Sequence, residues 1–83
     1  MAENEIREDE FVDVTDVVCP VTFVKAKVAL DEIDEGQILR IHLNGGEPAG
    51  NVPRSLKEEG HEILKLADNG DGTFELYVRK VGD

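Results

Sequence analysis

The sequence predicts a two-layer α/β sandwich of the α+β type, in which two helices cover one face of a mixed four-stranded sheet. Four apolar segments alternate in the manner of strands, two segments have helical periodicity, and a glycine-rich turn joins the last two strands. Their order is βαβαββ, and placing both helices on one sheet face is the simplest way to bury every apolar stripe. The 83 residues suffice for one small domain, which we expect over residues 11–81.

The first strand and the first helix are predicted from their periodicities. Val12 and Val14 share one face of the strand, opposite Phe11 and Asp13. A helix from Val21 to about Ile33 follows, and its core stripe has spacings of three and four residues: Phe23, Ala26, Leu30 and Ile33.

The same helix carries a second apolar line, formed by Val21, Val24 and Val28. One interpretation is that this line packs against the second helix. The other is that it is an apolar docking patch for a protein partner.

The remaining elements follow from alternation and turn residues. A second strand is predicted over residues 37–43, with Leu39, Ile41 and Leu43 facing inward. After a loop over residues 44–50, a second helix is expected with Asn51 as its N-cap, Pro53 in its first turn and Gly60 just past its end. Residues 61–67 and 73–80 then form a hairpin around the turn at 68–72, and the inward side chains are Leu64, Leu66, Phe74, Leu76 and Val78.

The open face of the predicted sheet is basic and partly aromatic, although the chain as a whole is acidic. It should carry Arg40, His42, His61, Ile63, Lys65, Glu75, Tyr77 and Arg79. One interpretation is an ordinary solvated face with cross-strand pairs. The other is a platform for an anionic partner such as single-stranded RNA, which usually requires more stacking aromatics than this face offers.

Net charge and composition limit the function classes. Residues 1–10 hold five acids and one base and are expected to form a disordered acidic tail. Removing them leaves 14 acids and 8 bases, so the remainder carries −6 of the total net charge of −10. Such a chain repels phosphate backbones, and direct nucleic-acid binding is therefore not expected. No apolar run reaches membrane-spanning length, and the acidic start is unlike a signal peptide.

No metal or organic cofactor is expected. The turn at residues 68–72 resembles a calcium loop, but Gly70 occupies the position of the second ligand and Arg79 that of the bidentate glutamate. His42 and His61 alone provide too few ligands for a zinc site.

Cys19 is the only cysteine, and it stands directly before Pro20 at the predicted start of the first helix. Proline is common at the first helical position, and the residue before it favours the extended backbone of an N-cap. The N–H groups of Val21, Thr22 and Phe23 would then face the sulfur, which would lower the pKa of the thiol. A buried structural cysteine is the alternative on spacing alone. A lone thiol also fits a reducing cytoplasm, and we expect a monomer.

Several segments in one order resemble the TusA/SirA sulfur-carrier family. They are the Val12-Asp13-Val14 run, Cys19-Pro20, Gly36-Gln37-Ile38-Leu39, Asn51-Val52-Pro53, and Gly60-His61-Glu62-Ile63-Leu64, which together cover about residues 12–80. The resemblance implies that Cys19 is the catalytic nucleophile of a sulfurtransferase and carries sulfur as a persulfide. It implies a cysteine desulfurase or another persulfide donor, and a downstream acceptor protein, in tRNA thiolation, cofactor synthesis or sulfur oxidation. The helix-opening Pro20 and the strand acid Asp13 also correspond to family positions.

Two departures from the family pattern bear on the thiol. Thr22 replaces the second proline of Cys-Pro-x-Pro, which restores a backbone N–H in the first turn. Thr15 and Asp16 replace an Arg-Gly pair, so a negative charge precedes Cys19 by three residues and should raise the pKa of the thiol. The sequence therefore predicts a sulfur-relay protein; the alternative is a non-catalytic interaction or regulatory module in which Cys19 is structural.

Overall fold

The computed structural model describes residues 7–18 and 21–81. Residues 1–6 of the predicted tail, Cys19 and Pro20 lie outside the described residues. The elements are β1 (Glu10–Asp13), α1 (Val21–Asp31), β2 (Ile38–Asn44), α2 (Glu47–Glu58), β3 (Glu62–Asp68) and β4 (Thr73–Arg79). The predicted order βαβαββ is confirmed.

The four strands form one mixed sheet in the order β1-β2-β4-β3. β1 runs parallel to β2, and α1 provides the crossover that a parallel pair requires. The pairs β2–β4 and β3–β4 are antiparallel. The predicted fold class is therefore confirmed.

The core lies between the sheet and the two helices. The sheet contributes Leu39, Ile41, Leu43, Leu76 and Val78, and the helices contribute Ala26, Leu30, Val52 and Leu56, all of them fully buried. Val14 joins this cluster from the end of β1, as its alternation with Val12 predicts. The helices thus cover one face of the sheet, and the other face stays open.

Pairing with β2 includes residues that precede the predicted domain boundary at residue 11. β1 begins at Glu10, and Asp9 exchanges two hydrogen bonds with Ile38: its N–H donates to the Ile38 carbonyl at 2.7 Å, and its carboxylate accepts the Ile38 N–H at 2.8 Å. Glu8 lies 3.1 Å from the Nε of Arg40. Acids assigned to the tail by composition are therefore held by pairing with β2.

The predicted start of α2 is wrong by about one turn. The helix begins at Glu47, directly after Gly46 with φ 82°, and Pro53 lies inside it. Two local features favour the earlier start. Pro48 falls in the first turn, where its missing N–H costs nothing, and the Ala49 side chain is buried. Asn51 is consequently a helical residue whose side chain accepts a hydrogen bond from Arg54 at 3.1 Å.

The predicted end of α2 is confirmed. Gly60 has φ 102° and donates to the Lys57 carbonyl at 3.0 Å, and His61 donates to the Leu56 carbonyl at 3.1 Å. This is the Schellman arrangement of a C-terminal glycine.

The predicted inward face of β3 is also wrong in part. The register of the β3–β4 pair shifts between Ile63 and Lys65, so Ile63 lies opposite the buried Val78 and packs against the core instead of the open face. Leu66 lies opposite Leu76, yet it is 43% exposed because β3 is an edge strand. Strict alternation cannot anticipate a bulge, because one extra residue moves the following side chains to the other face.

Candidate functional site

The segment between β1 and α1 leads to Cys19, and its first residues are fixed by short hydrogen bonds. The Asp13 carboxylate accepts the Thr15 N–H at 2.9 Å and the Thr15 hydroxyl at 2.7 Å. The side-chain amide of Asn44, at the end of β2, donates to the Thr15 carbonyl at 3.0 Å. This turn is therefore tied to the parallel pair β1–β2 from both sides.

The charge of Asp13 is stabilised by the same turn. The hydrogen bonds from Thr15, first from its hydroxyl and then from its N–H, lower the pKa of Asp13 below its ordinary value of 3.8. Nearby His42 and Lys25 act in the same direction. Asp13 thus holds the turn in its ionised form.

The first N–H groups of α1 are used differently from the prediction. The N–H groups of Val21 and Thr22 both donate to the Val18 carbonyl, at 2.7 and 3.3 Å. The expectation that these two groups are free to face the sulfur is therefore wrong. The Val18 carbonyl thus satisfies two donors that an N-cap would otherwise leave open.

The side chains of this first turn divide between core and surface. Thr22 is 1% exposed and Phe23 is half-buried, whereas Val21 is exposed. Thr22 thus takes a place in the core, although the sequence predicted only a role at the sulfur.

Asp16 is paired with a lysine of α1. Its carboxylate lies 3.3 Å from Nζ of Lys25, and both side chains are largely exposed. The negative charge introduced near Cys19 is therefore partly balanced by a charge on the second turn of the helix.

Four valines form an exposed strip along α1 and the residues before it. Val18, Val21, Val24 and Val28, here called the valine strip, are 75%, 48%, 54% and 52% exposed. The interpretation that the helical part of this line packs against α2 is therefore wrong. In sequence, the first two of these valines flank Cys19-Pro20 on either side.

The contact between α1 and α2 is made on another side of α1. Lys27 donates to Glu59 at 2.9 Å, and this hydrogen bond raises the pKa of Lys27 and lowers that of Glu59. Because both groups are exposed, the pair contributes little to stability. The buried Ala26 and Leu30 set the orientation of α1, and with Lys27 turned toward Glu59 the valine strip stays outward.

Three basic side chains of the open sheet face, those of Arg40, His42 and Arg79, lie against acids. Arg40 lies 3.0 Å from Glu75, and Nδ1 of His42 is 3.0 Å from the other carboxylate oxygen of Glu75. The Arg40 guanidinium also stacks on the Phe11 ring at 4.4 Å, and Arg79 is paired with Glu62. These are the cross-strand pairs of an ordinary solvated face, and they favour that interpretation over an anion-binding platform.

The part of the chain that the structure describes contains no group of three metal-ligating side chains. No helix in residues 7–18 and 21–81 is long and apolar enough to cross a membrane.

The described chain is a two-layer α/β sandwich with an exposed apolar strip that adjoins the lone cysteine in sequence. The comparisons with known proteins are more specific. Residues 10–80 match the model of the family described as Sulfurtransferase TusA. The chain therefore belongs to the TusA family.

Individual relatives agree with this assignment. A protein of Archaeoglobus fulgidus named "Putative sulfur carrier protein" is 34% identical over 77 residues, which cover 93% of this chain and 88% of the relative. The Bacillus subtilis protein named "Putative sulfur carrier protein YrkI" is 30% identical over 75 residues, which cover 90% of this chain and 99% of the relative. The crystal structure of the SirA-like protein from Desulfitobacterium hafniense superimposes with a TM-score of 0.75 at 19% identity, covering 88% of this chain and 99% of that one. This last likeness supports the fold alone.

Some features of the site were not predicted from the sequence. Val18 extends the valine strip beyond the helix, and Asn44 ties the turn that precedes Cys19. Val18 lies outside the helix, so the helical spacing that predicts Val21, Val24 and Val28 does not extend to it. No local signal marks Asn44, since its contact spans 29 residues.

Proposed function

We propose that this protein is a sulfur-relay protein in which Cys19 accepts a persulfide sulfur and passes it to a downstream acceptor. The observation that carries the proposal is membership of the TusA family over residues 10–80. The lone cysteine of the chain stands where the Cys-Pro pair of that family is expected. The exposed valine strip on either side of it supports a role in meeting protein partners.

The transfer requires no metal, cofactor or external oxidant. The Cys19 thiolate attacks the terminal sulfur of the donor persulfide; a new S–S bond forms, the S–S bond of the donor breaks, and the donor leaves as a thiolate. In the second step the acceptor thiolate attacks the terminal sulfur of Cys19-S-SH, and the Cys19 thiolate is released. Both steps are exchanges with no net change of oxidation state.

The start of α1 supports this chemistry electrostatically. The first turn of the helix contains no acid, so the positive end of its dipole is not cancelled from within the helix. Val21, Thr22 and Phe23 belong to this first turn, and we assign its dipole, rather than free N–H groups of Val21 and Thr22, to the stabilisation of the anionic sulfur. Asp16 opposes the effect, and its pairing with Lys25 weakens that opposition.

The reaction defines the kinds of partner and the compartment. The donor is a cysteine desulfurase or another persulfide carrier, and the acceptor is a protein with a reactive thiol. A persulfide carrier needs its cysteine reduced, so we place the protein in the cytoplasm, where thiols stay reduced.

Loading of Cys19 can be tested directly. The protein is incubated with a cysteine desulfurase and cysteine, and its intact mass is measured with and without reductant. We expect a gain of one sulfur atom that the reductant removes, and no gain in Cys19→Ser. Failure of the native protein to gain sulfur from either the desulfurase or a small-molecule persulfide would overturn the proposal.

Thiol alkylation separates the relay from the alternative of a non-catalytic module with a structural cysteine. We expect rapid labelling of Cys19 in the native protein at neutral pH. Labelling that becomes fast only after unfolding would favour the structural role.

A further inference from the structure

The parallel pair β1–β2 continues past the end of β1 through a side chain. Asp13, the last residue of β1, pairs with His42, and the Val14 N–H then donates to the His42 carbonyl at 2.9 Å. The same offset of 29 residues brings Thr15 beside Asn44, whose side-chain amide donates to the Thr15 carbonyl at 3.0 Å. Asn44 thus adds one hydrogen bond to the pair where the backbone bonds of β1 have ended.

The backbone after Asn44 is directed away from β1. The N–H of Gly45 donates to the Gly72 carbonyl at 2.8 Å, in the loop that precedes β4. A Cβ at Gly45 would lie 2.9 Å from the ring of Phe74, so this close approach needs glycine. The chain therefore turns toward β4 at Gly45, and it is the side chain of Asn44 that reaches back to the segment after β1.

Thr15 begins the segment that leads through Val18 to Cys19, and this segment is held at both ends. At its start, Asp13 accepts hydrogen bonds from the N–H and hydroxyl of Thr15, while Asn44 donates to the Thr15 carbonyl. At its end, the Val18 carbonyl accepts the first N–H groups of α1. Cys19 is the next residue, with its Cα about 3.8 Å from that of Val18. Movement gained at Thr15 is therefore movement of the backbone that leads directly to the thiol.

We propose that Asn44 is a positioning residue for Cys19 and acts through the Thr15 carbonyl. This inference rests on the proposed function and assigns to its site a residue from the far end of β2. By fixing the segment before α1, the amide keeps the thiol at the positive end of the helix dipole, which favours the thiolate. Loss of the amide donor frees the segment, so a smaller fraction of the molecules presents a reactive thiolate.

Alkylation of Cys19 by iodoacetamide in the full-length protein measures this effect without a partner. The rate is followed over a pH series, below the unfolding temperature of each variant. We expect Asn44→Ala to slow alkylation at neutral pH by about threefold, the scale of one exposed hydrogen bond, and to move the midpoint of the pH profile upward. Asn44→Asp lacks the donor and places a carboxylate beside the Thr15 carbonyl, so it should slow alkylation further.

Gln37→Ala is the matched control. The side-chain amide of Gln37 also bonds the backbone of a turn, since its oxygen accepts the Asp34 N–H at 2.8 Å, but this turn lies at the opposite end of β2. We expect Gln37→Ala and Asn44→Ala to lower the unfolding temperature by similar amounts, and only Asn44→Ala to change the alkylation profile. An equal change of the profile in both variants would show general loosening of the fold and would overturn the positioning role.

Sulfur loading separates this inference from the relay itself. With glutathione persulfide as the donor, we expect Asn44→Ala to load more slowly in the same ratio as it is alkylated, because the same thiolate attacks in both reactions. Equal rates of both reactions in the native protein and Asn44→Ala would overturn the positioning role, while a loaded native protein still supported the relay. Slower alkylation of Asn44→Ala in a protein that takes up no sulfur would support the positioning role and contradict the proposed function.

Discussion

Asp13 holds the turn that leads from β1 toward Cys19, through two hydrogen bonds from Thr15. We expect Asp13→Ala to destabilise the protein at neutral pH by no more than about 1 kcal/mol, because the carboxylate is exposed. The pKa of Asp13 is lowered in the folded state from 3.8, so its contribution is present above that value and is lost as the pH falls through the folded-state pKa. Urea unfolding at neutral and at acidic pH measures the difference.

The control for this prediction is Asp34→Ala. The Asp34 carboxylate accepts none of the hydrogen bonds found among the described residues, so its removal should have no comparable effect. A loss of stability in Asp13→Ala that stayed constant down to the lowest pH would show that the charge of Asp13 is not what holds the turn.

Residue-level predictions from the sequence succeeded where local chemistry decided the outcome. The alternation of Val12 and Val14 was enough to place both on the core side of β1. The pairing of Asp16 with Lys25 was not predictable, because it depends on how the turn at residues 14–18 brings the chain back over α1. The geometry of Cys19 lies outside the described residues, and its role stays a prediction.

At the scale of elements, two glycines, one inside α2 and one just past its end, should respond in opposite ways to substitution by alanine. Gly50 lies inside the helix with no atom near its would-be Cβ, so Gly50→Ala should stabilise the protein by about 0.5–1 kcal/mol. Gly60 has φ 102° past the end of the helix, and Gly60→Ala should destabilise it by about 1–2 kcal/mol. Thermal unfolding of the two variants measures both changes in stability. A gain from Gly60→Ala would contradict the Schellman ending of α2.

The buried core and the exposed valine strip should also respond differently to the loss of methyl groups. Ile41→Val in β2 removes one methylene from a fully buried position and should cost about 1 kcal/mol. Val28→Ala, at a half-exposed position of the valine strip, should change stability by less than about 0.5 kcal/mol. Urea unfolding compares them, and a larger loss in Val28→Ala would mean that the strip is packed within the folded chain.

Element boundaries were predicted well where a single residue type decides them and poorly where two signals compete. Gly60 ended α2 as expected, because positive φ at that position needs glycine. At the start of α2 the glycine-rich stretch suggested a loop, whereas Pro48 and the buried Ala49 favour helix, and the structure has the earlier start. The bulge in β3 is set by its pairing with β4 and left no local mark.

At the scale of the whole molecule, the net charge of −10 should make stability depend on salt. Acids outnumber bases more than two to one, so self-repulsion opposes the compact state at low ionic strength. We expect the unfolding temperature to rise with sodium chloride between very low and moderate concentration, where added ions screen this repulsion. A fall in the unfolding temperature over that range would show that the ion pairs of the surface outweigh the repulsion.

The fold as a whole was predictable from periodicity, since six segments with strand or helix spacing, each with an apolar stripe, leave few ways to bury those stripes together. The exposure of the valine strip was not predictable in this way, because a helical line of valines has the same spacing whether it packs against α2 or faces solvent. Only the arrangement of α1 against the sheet and α2, with Lys27 turned toward Glu59, distinguishes the two.

The central claim is that Cys19 carries sulfur and hands it on. The most direct measurement loads the protein with a persulfide donor, removes the donor, and then adds an acceptor thiol while the masses of both are followed. We predict that the protein loses one sulfur atom as the acceptor gains it as a persulfide, and that Cys19→Ser shows neither step. Sulfur that stays on the protein, or that loads equally onto Cys19→Ser, would contradict the claim.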